Sequence, residues 1–171
     1  MSALRPMFAS VILLSACSTH GTTVDQARVP MRDAAGRELG TLTISNTNGG
    51  LHLTGDLTGL PSGVHGIHVH TVGRCEPPFE TAGGHWNPAH RQHGSLNPNG
   101  PHAGDMPNIT VSPNGSVAVS VMTVAGTLHG TDGLMDADGA AVVIHAGTDD
   151  LRTDPSGNSG ARIACGVVGG S

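Results

Sequence analysis

The stretch from Gly66 to Asp105 reads GIHVHTVGRCEPPFETAGGHWNPAHRQHGSLNPNGPHAGD. It opens on the alternating run IHVH, in which residues i and i+2 of a strand share a face, so His68 and His70 are set side by side. It then continues through a turn-rich segment dense in glycine, proline and asparagine that cannot hold a long helix. His68, His70, His85, His93 and His102 punctuate the stretch and Asp105 closes it. Imidazoles and a carboxylate at this density, in turn-rich sequence, suggest a folded metal site.

Composition agrees with this reading. The 171 residues suffice for one domain with a real core. Aromatic residues are 2%, so the core must be built from Val, Ile, Leu and Ala. With 26 glycines and 11 prolines, turns are frequent. The formal net charge of -5 is no basic nucleic-acid footprint, and no nucleic-acid partner is expected.

Outward from the histidine stretch, short β-like runs recur. They are Val24 to Met31, Leu39 to Ser45, Leu51 to Leu57, Val64 to His70, Asn108 to Ser112, Val117 to Thr123, Ala141 to Ala146 and Arg162 to Val168. Turn signals separate the early ones, and no run has a helical period. The pattern predicts an all-β domain, an eight-stranded antiparallel barrel or sandwich with two long functional loops, Thr71 to Met106 and Gly147 to Ala161.

At the N-terminus, MSALRPMFASVILLSAC has a basic Arg5, an apolar run too short to cross a bilayer, and small residues before Cys17. Residues 1–16 therefore read as an export signal. Leu14-Ser15-Ala16-Cys17 also resembles a bacterial lipobox, with Cys17 the lipidated first residue of the mature chain. The alternative is an ordinary signal cleaved nearby. On this reading residues 17–23 are a tether, residues 24–171 the folded domain, and the protein resides in the periplasm or cell envelope. A lipid at Cys17 would be its only membrane attachment. Export leaves Cys75 and Cys165 as a pair in an oxidising compartment, where a bridge closing a long loop contributes roughly 4 to 5 kcal/mol. Two unpaired buried thiols are the other possibility.

The far histidine His145 follows the apolar run Ala141 to Ile144, where a lone histidine is more often a core residue. Its claim to a metal rests on the other five. His85, His93, His102 and Asp105 lack a finger-type spacing, but three imidazoles and a carboxylate suit four-coordinate zinc, and further imidazoles suit copper. Six histidines and Asp105 make seven donors against eight positions around two four-coordinate ions. Either one donor is shared or one position is left to water.

The motifs GIHVH, GGHWNP, HG, GPHAGD, VVIHAGTDDL and GNSGARIACGVVG, taken in order, resemble the signatures of the copper/zinc superoxide dismutases, especially their exported bacterial branch. The resemblance runs from about Val24 to Gly169 and implies a Greek-key barrel. It implies one copper per subunit at His68, His70, His85 and His145, and one zinc at His85, His93, His102 and Asp105, with His85 shared. It further implies that Asp149 links outer nitrogens of a copper and a zinc histidine, that Arg162 stands beside the copper channel, and that Cys75 and Cys165 form a disulfide. The implied activity is disproportionation of superoxide to dioxygen and hydrogen peroxide, with Arg162 attracting the anion and His85 carrying a proton for the second step. The implied assembly is a monomer or a homodimer.

Other residues are kept out of the site. His65 has the strand parity opposite to His68 and His70 and reads as structural. His52, His90 and His129 read as surface or packing residues. Trp86 stands where the family usually has phenylalanine, a change of packing. A non-catalytic exported protein that buffers copper or zinc is the reading from a different class.

Overall fold

The computed structural model describes residues 25–170. The signal at residues 1–16, Cys17 and the tether at residues 17–23 lie outside the described residues. Nine strands are present among those described: β1 Gln26–Asp33, β2 Glu38–Thr47, β3 Gly50–Leu57, β4 Gly63–His65, β5 Ile67–His70, β6 Ile109–Val111, β7 Val117–Met122, β8 Ala141–His145 and β9 Arg162–Val167. Their order is β5-β8-β9-β1-β2-β3-β7 in one antiparallel sheet, with β4-β6 as a separate ribbon. A tight turn joins β6 to β7, and β7 returns beside β3, which makes β3, β4, β6 and β7 a Greek key.

The all-β expectation holds, with a correction to the strand count. Val64 to His70, read as one strand, is two: β4 pairs with β6 and β5 pairs with β8. Gly66 separates them because it turns there against the second long loop, where a Cβ would press on Ser159, Asp149 and His68 at 3.1–3.2 Å. This bend lets one run serve both sheets and curl them towards closure.

Alternation sets which side chains enter the core. β1 buries Ala27, Val29 and Met31, and β7 buries Val117, Val119 and Val121, while the residues between them face outward or to the boundary. They meet Leu42, Ile44, Leu51, Leu53, Ile67, Val69, Val142 and Ile144 in one aliphatic core. Each buried Val, Leu, Ile or Met side chain contributes roughly 1.5–3 kcal/mol, which is how a chain with few aromatics is stabilised.

β5 and β8 depart from alternation, since every residue of both is buried. One face packs on the core and the long loops cover the other. The first loop runs between β5 and β6 with one 3-10 turn, Glu80–Ala82, and the second between β8 and β9. The disulfide Cys75–Cys165 ties the first loop to β9, where Phe79, Ala82, Ala141, Val143 and Cys165 form a small outer core. A third long connection, residues 123–140, was not among the expected loops. It sends Leu128 and Leu134 into the main core and anchors on Asn46, whose Oδ1 accepts the Leu128 N–H.

Candidate metal centre

Six histidines and Asp105, drawn from β5, β8 and the first loop, converge on the outer face of β5 and β8, and all are buried. His68 and His70 come from β5. The loop returns along the free edge of that strand, bridging His68 to Asp105 and His70 to His85. β8 pairs with the other edge and carries His145 on the same outer face as Ala141 and Val143, while a bulge in β9 leaves Ile163 unpaired and sets Arg162 opposite His145.

The donors fall into two groups that share one residue. His68, His70, His85 and His145 form the first; His85, His93, His102 and Asp105 form the second; the ligand atoms within each lie within 4.8 Å of one another. In the first group, His68 Nδ1, His70 Nε2, His85 Nε2 and His145 Nε2 are buried with no hydrogen-bond partner. Four orphaned imidazole nitrogens facing one point would be costly unless a Lewis acid satisfied them. In the second group, Asp105 Oδ1 lies 2.8 Å from His85 Nδ1, 3.0 Å from His93 Nδ1 and 3.2 Å from His102 Nδ1. Ligands about 2.0 Å from a tetrahedral ion stand roughly 3.3 Å apart, so the group has nearly the right edge lengths for zinc. His85 offers Nε2 to one group and Nδ1 to the other, so the donor that the count left open is a shared one.

The outer nitrogens are held by partners that set each ring's tautomer. Asp149 accepts from His68 Nε2 at 2.7 Å with one oxygen and from His93 Nε2 at 2.9 Å with the other, joining the two groups. His70 Nδ1 donates to Gly83 O and His145 Nδ1 to Gly160 O. Asp105 Oδ2 accepts backbone N–H groups of Gly94 and His102. Arg162 is fixed by the first loop, donating from Nη1 to Phe79 O at 2.7 Å and from Nη2 to Gly83 O at 2.8 Å. It lines a cleft of about 410 Å³ together with His70, His85 and His145.

His65 stays outside both groups. Strand parity does not reach it across the break at Gly66, yet it is buried and structural, its ring nitrogens facing His145 O at 2.8 Å and Pro61 O at 3.0 Å. His52 lies against Ser120 and His129 against Asp25, both at the surface, and His90 sits in an exposed turn. Trp86 packs into the main core with its ring on Gly126. Sequence reasoning missed Asn108. Its side chain donates to Asp149 O and accepts from Asp149 N, both at 2.9 Å, clamping the backbone of the bridging carboxylate. An asparagine just after the ligand Asp105 carries no spacing signal for such a role.

Electrostatics divide the donors as the hydrogen bonds do. Burial, with neighbouring imidazoles adding to it, lowers His70 to about 2, His145 to about 3 and, against the pull of Asp105, His85 to about 4. Their inner nitrogens therefore remain lone pairs at neutral pH. Burial opposes ionisation of Asp105 and Asp149, but imidazole and backbone hydrogen bonds hold both well below the ordinary carboxylate range. For His93, burial works downward, while hydrogen bonds to Asp105 and Asp149 and their charges raise it from 6.5 to about 9. In the metal-free protein this charge contributes stability that is fully present below pH 6.5 and is lost as pH rises through about 9. An ion at Nδ1 must displace that proton. Zinc binding at pH 7 should therefore release about one proton, with apparent affinity rising roughly tenfold per pH unit and levelling near 9. Calorimetry in two buffers of different ionisation heat checks this; release of no proton contradicts it.

Two glycines let the second loop sit on the first. Gly157 has φ +62°, and a Cβ there would fall on the Asp149 carboxylate and lie 2.7 Å from His93 Nε2. Gly94 has φ +97°, and its Cβ would strike the backbone at Leu151 and Arg152. Gly157→Ala should therefore displace Asp149 and lower retention of both metals against a chelator by about 10-fold, the usual scale for disturbing an outer partner of a ligand. Unchanged retention would show that the loop yields without moving the carboxylate.

An antiparallel Greek-key barrel carrying two ligand groups joined by one imidazole defines a two-metal oxidoreductase framework, with a four-imidazole site beside a three-imidazole, one-carboxylate site. Residues 38–168 match the family described as copper/zinc superoxide dismutase (SODC). The chain is 40% identical over 170 residues to superoxide dismutase (Cu-Zn) 1 of Aquifex aeolicus, covering 97% of this chain and 96% of that one. Among solved structures it is similar to a SOD-like protein from Bacillus subtilis, with 40% identity and TM-score 0.77 over 82% of this chain and 97% of that one. It is also similar to the Cu/Zn superoxide dismutase from Brucella abortus, with 31% identity and TM-score 0.66 over 84% and 99%. This chain belongs to the copper/zinc superoxide dismutase family. It is an oxidoreductase whose cofactors are copper and zinc, and the two donor groups fit those ions.

Proposed function

We propose that the protein converts superoxide to dioxygen and hydrogen peroxide, two superoxide anions and two protons giving one molecule of each product. Four unpartnered imidazole nitrogens beside an arginine-lined cleft carry this reading. His68 Nδ1, His70 Nε2, His85 Nε2 and His145 Nε2 would hold copper; His85 Nδ1, His93 Nδ1, His102 Nδ1 and Asp105 Oδ1 would hold zinc. Copper supplies one-electron redox chemistry and zinc, which has none, structural and electrostatic support. Arg162, held rigid by two carbonyls, presents fixed positive charge to a small anion in a protein whose net charge is negative. His85, which lines the cleft and whose Nε2 has no hydrogen-bond partner, would carry a proton to the reduced anion. Asp149 keeps the His68 and His93 rings in register.

The same reading includes export. The signal at residues 1–16 and lipidation of Cys17 would place the domain in the periplasm or cell envelope, where it would protect that compartment from superoxide. A lipid-sized mass increment on Cys17 in protein from a bacterial membrane fraction tests this; an uncleaved N-terminus overturns export, and a cleaved chain without lipid overturns the anchor.

Similarity to a protein described only as SOD-like keeps a second reading in view, a non-catalytic copper and zinc buffer. A superoxide-decay assay on metal-loaded protein separates the two. Wild type should be active, and Arg162→Ala should keep its metals while the rate falls about 10-fold or more, the scale of electrostatic steering. Bound metals with no activity in wild type would favour the buffer.

A further inference from the structure

The cleft that leads to the four-imidazole group carries an unexpected charge. Glu80 is the only carboxylate among the described residues that line it. Its Oε2 lies 3.6 Å from Arg162 Nη2, and its side chain is 74% exposed against 15% for the arginine. For a site that receives an anion, an acid beside the arginine at the opening works against its purpose unless it regulates access.

The local structure fixes this juxtaposition. Glu80 begins a 3-10 turn between Phe79 and Gly83, both with positive φ. The carbonyls of these two flanking residues are the ones that accept from the guanidinium of Arg162. A single short segment therefore aims the arginine and sets a carboxylate beside its Nη2. The arginine cannot swing away, because both carbonyls hold it, whereas the exposed glutamate can.

We propose that Glu80 is a built-in competitor for Arg162, a specificity-determining residue that attenuates anion entry. In the resting cleft it pairs weakly with the guanidinium, and an incoming anion must displace it to gain the arginine's full charge. Small monoanions present in excess are thereby held at low occupancy, while a substrate consumed on arrival is affected less. This rests on the cleft being an anion path, as in the function proposed above.

The test uses the copper- and zinc-loaded protein with azide as the probe anion, its binding followed by optical titration in sodium perchlorate of varied concentration. An exposed ion pair is weak, so Glu80→Gln should tighten azide binding by only about threefold at low salt. Glu80→Lys should tighten it by about tenfold through a second positive charge. The Gln-to-wild-type ratio should fall towards one as roughly 1 M salt screens the pair. In an Arg162→Ala background the Glu80→Gln effect should largely vanish. Azide affinity unchanged in Glu80→Gln would overturn the proposal. So would an effect undiminished without the arginine, which would mean simple repulsion. Superoxide decay is measured alongside: inactivity of the wild type would remove the dismutase reading, while the azide series would still decide the role of Glu80.

Discussion

With His145 replaced by alanine, the protein should keep its zinc and lose copper and superoxide turnover. His145 belongs to one donor group only, and its Nε2 is one of the four unpartnered nitrogens. Its removal leaves three donors in the first group and all four in the second. Outer partners of ligands alone are worth 10–100-fold in metal affinity, so losing a ligand itself should weaken copper binding by more than about 100-fold. Asp149 should still hold His68 and His93, since neither of its hydrogen bonds involves His145. Metal content by atomic emission after dialysis, followed by a superoxide-decay assay, gives the answer. Loss of both metals in equal measure would mean that the two groups are not separable.

Removing the disulfide should have the largest effect on stability and a second effect on the cleft. Cys75 and Cys165 are 90 residues apart in sequence, and a loop of that length corresponds to about 4 to 5 kcal/mol in the chain-entropy model. The bridged segment also carries Phe79 O and Gly83 O, which hold Arg162, and Gly83 O holds His70 as well. The Cys75→Ser, Cys165→Ser double variant should therefore unfold at much lower denaturant concentration. While still folded and metal-loaded, it should turn over superoxide more slowly than wild type. Denaturant titration and activity at fixed metal content check the two parts separately. Lower stability with full activity would show that packing of Phe79 and Ala82 against Ala141 and Val143 holds the segment unaided.

The share of this architecture legible in advance follows from the range of the interactions. Strands β1, β2, β3 and β7 declare themselves because each exposes one face, and alternation is a local property of neighbouring residues. The break at Gly66 is not local. It depends on the second loop pressing where a Cβ would stand, so IHVH and the residues before it look like one strand. The connection at residues 123–140 reads as loop, and nothing in its pattern announces that Leu128 and Leu134 reach the core. Asn108 is silent for the same reason, because its partner is the backbone of a residue far along the chain. Glu80 likewise gains meaning only once Arg162 is beside it.

From the chain alone came the kinds and number of donors: six imidazoles and a carboxylate, one fewer than two four-coordinate ions require. These depend on residue type and count, which no folding step alters. The tertiary structure brings His85 into both donor groups, as the family resemblance implied, and it alone decides which nitrogen of each imidazole turns inward. Either nitrogen of an imidazole can bind a metal, and which one does is set by the hydrogen bond that the other makes. Here the binding groups are Asp149, Gly83 and Gly160 on the outer nitrogens and Asp105 on the zinc side, brought from distant parts of the chain.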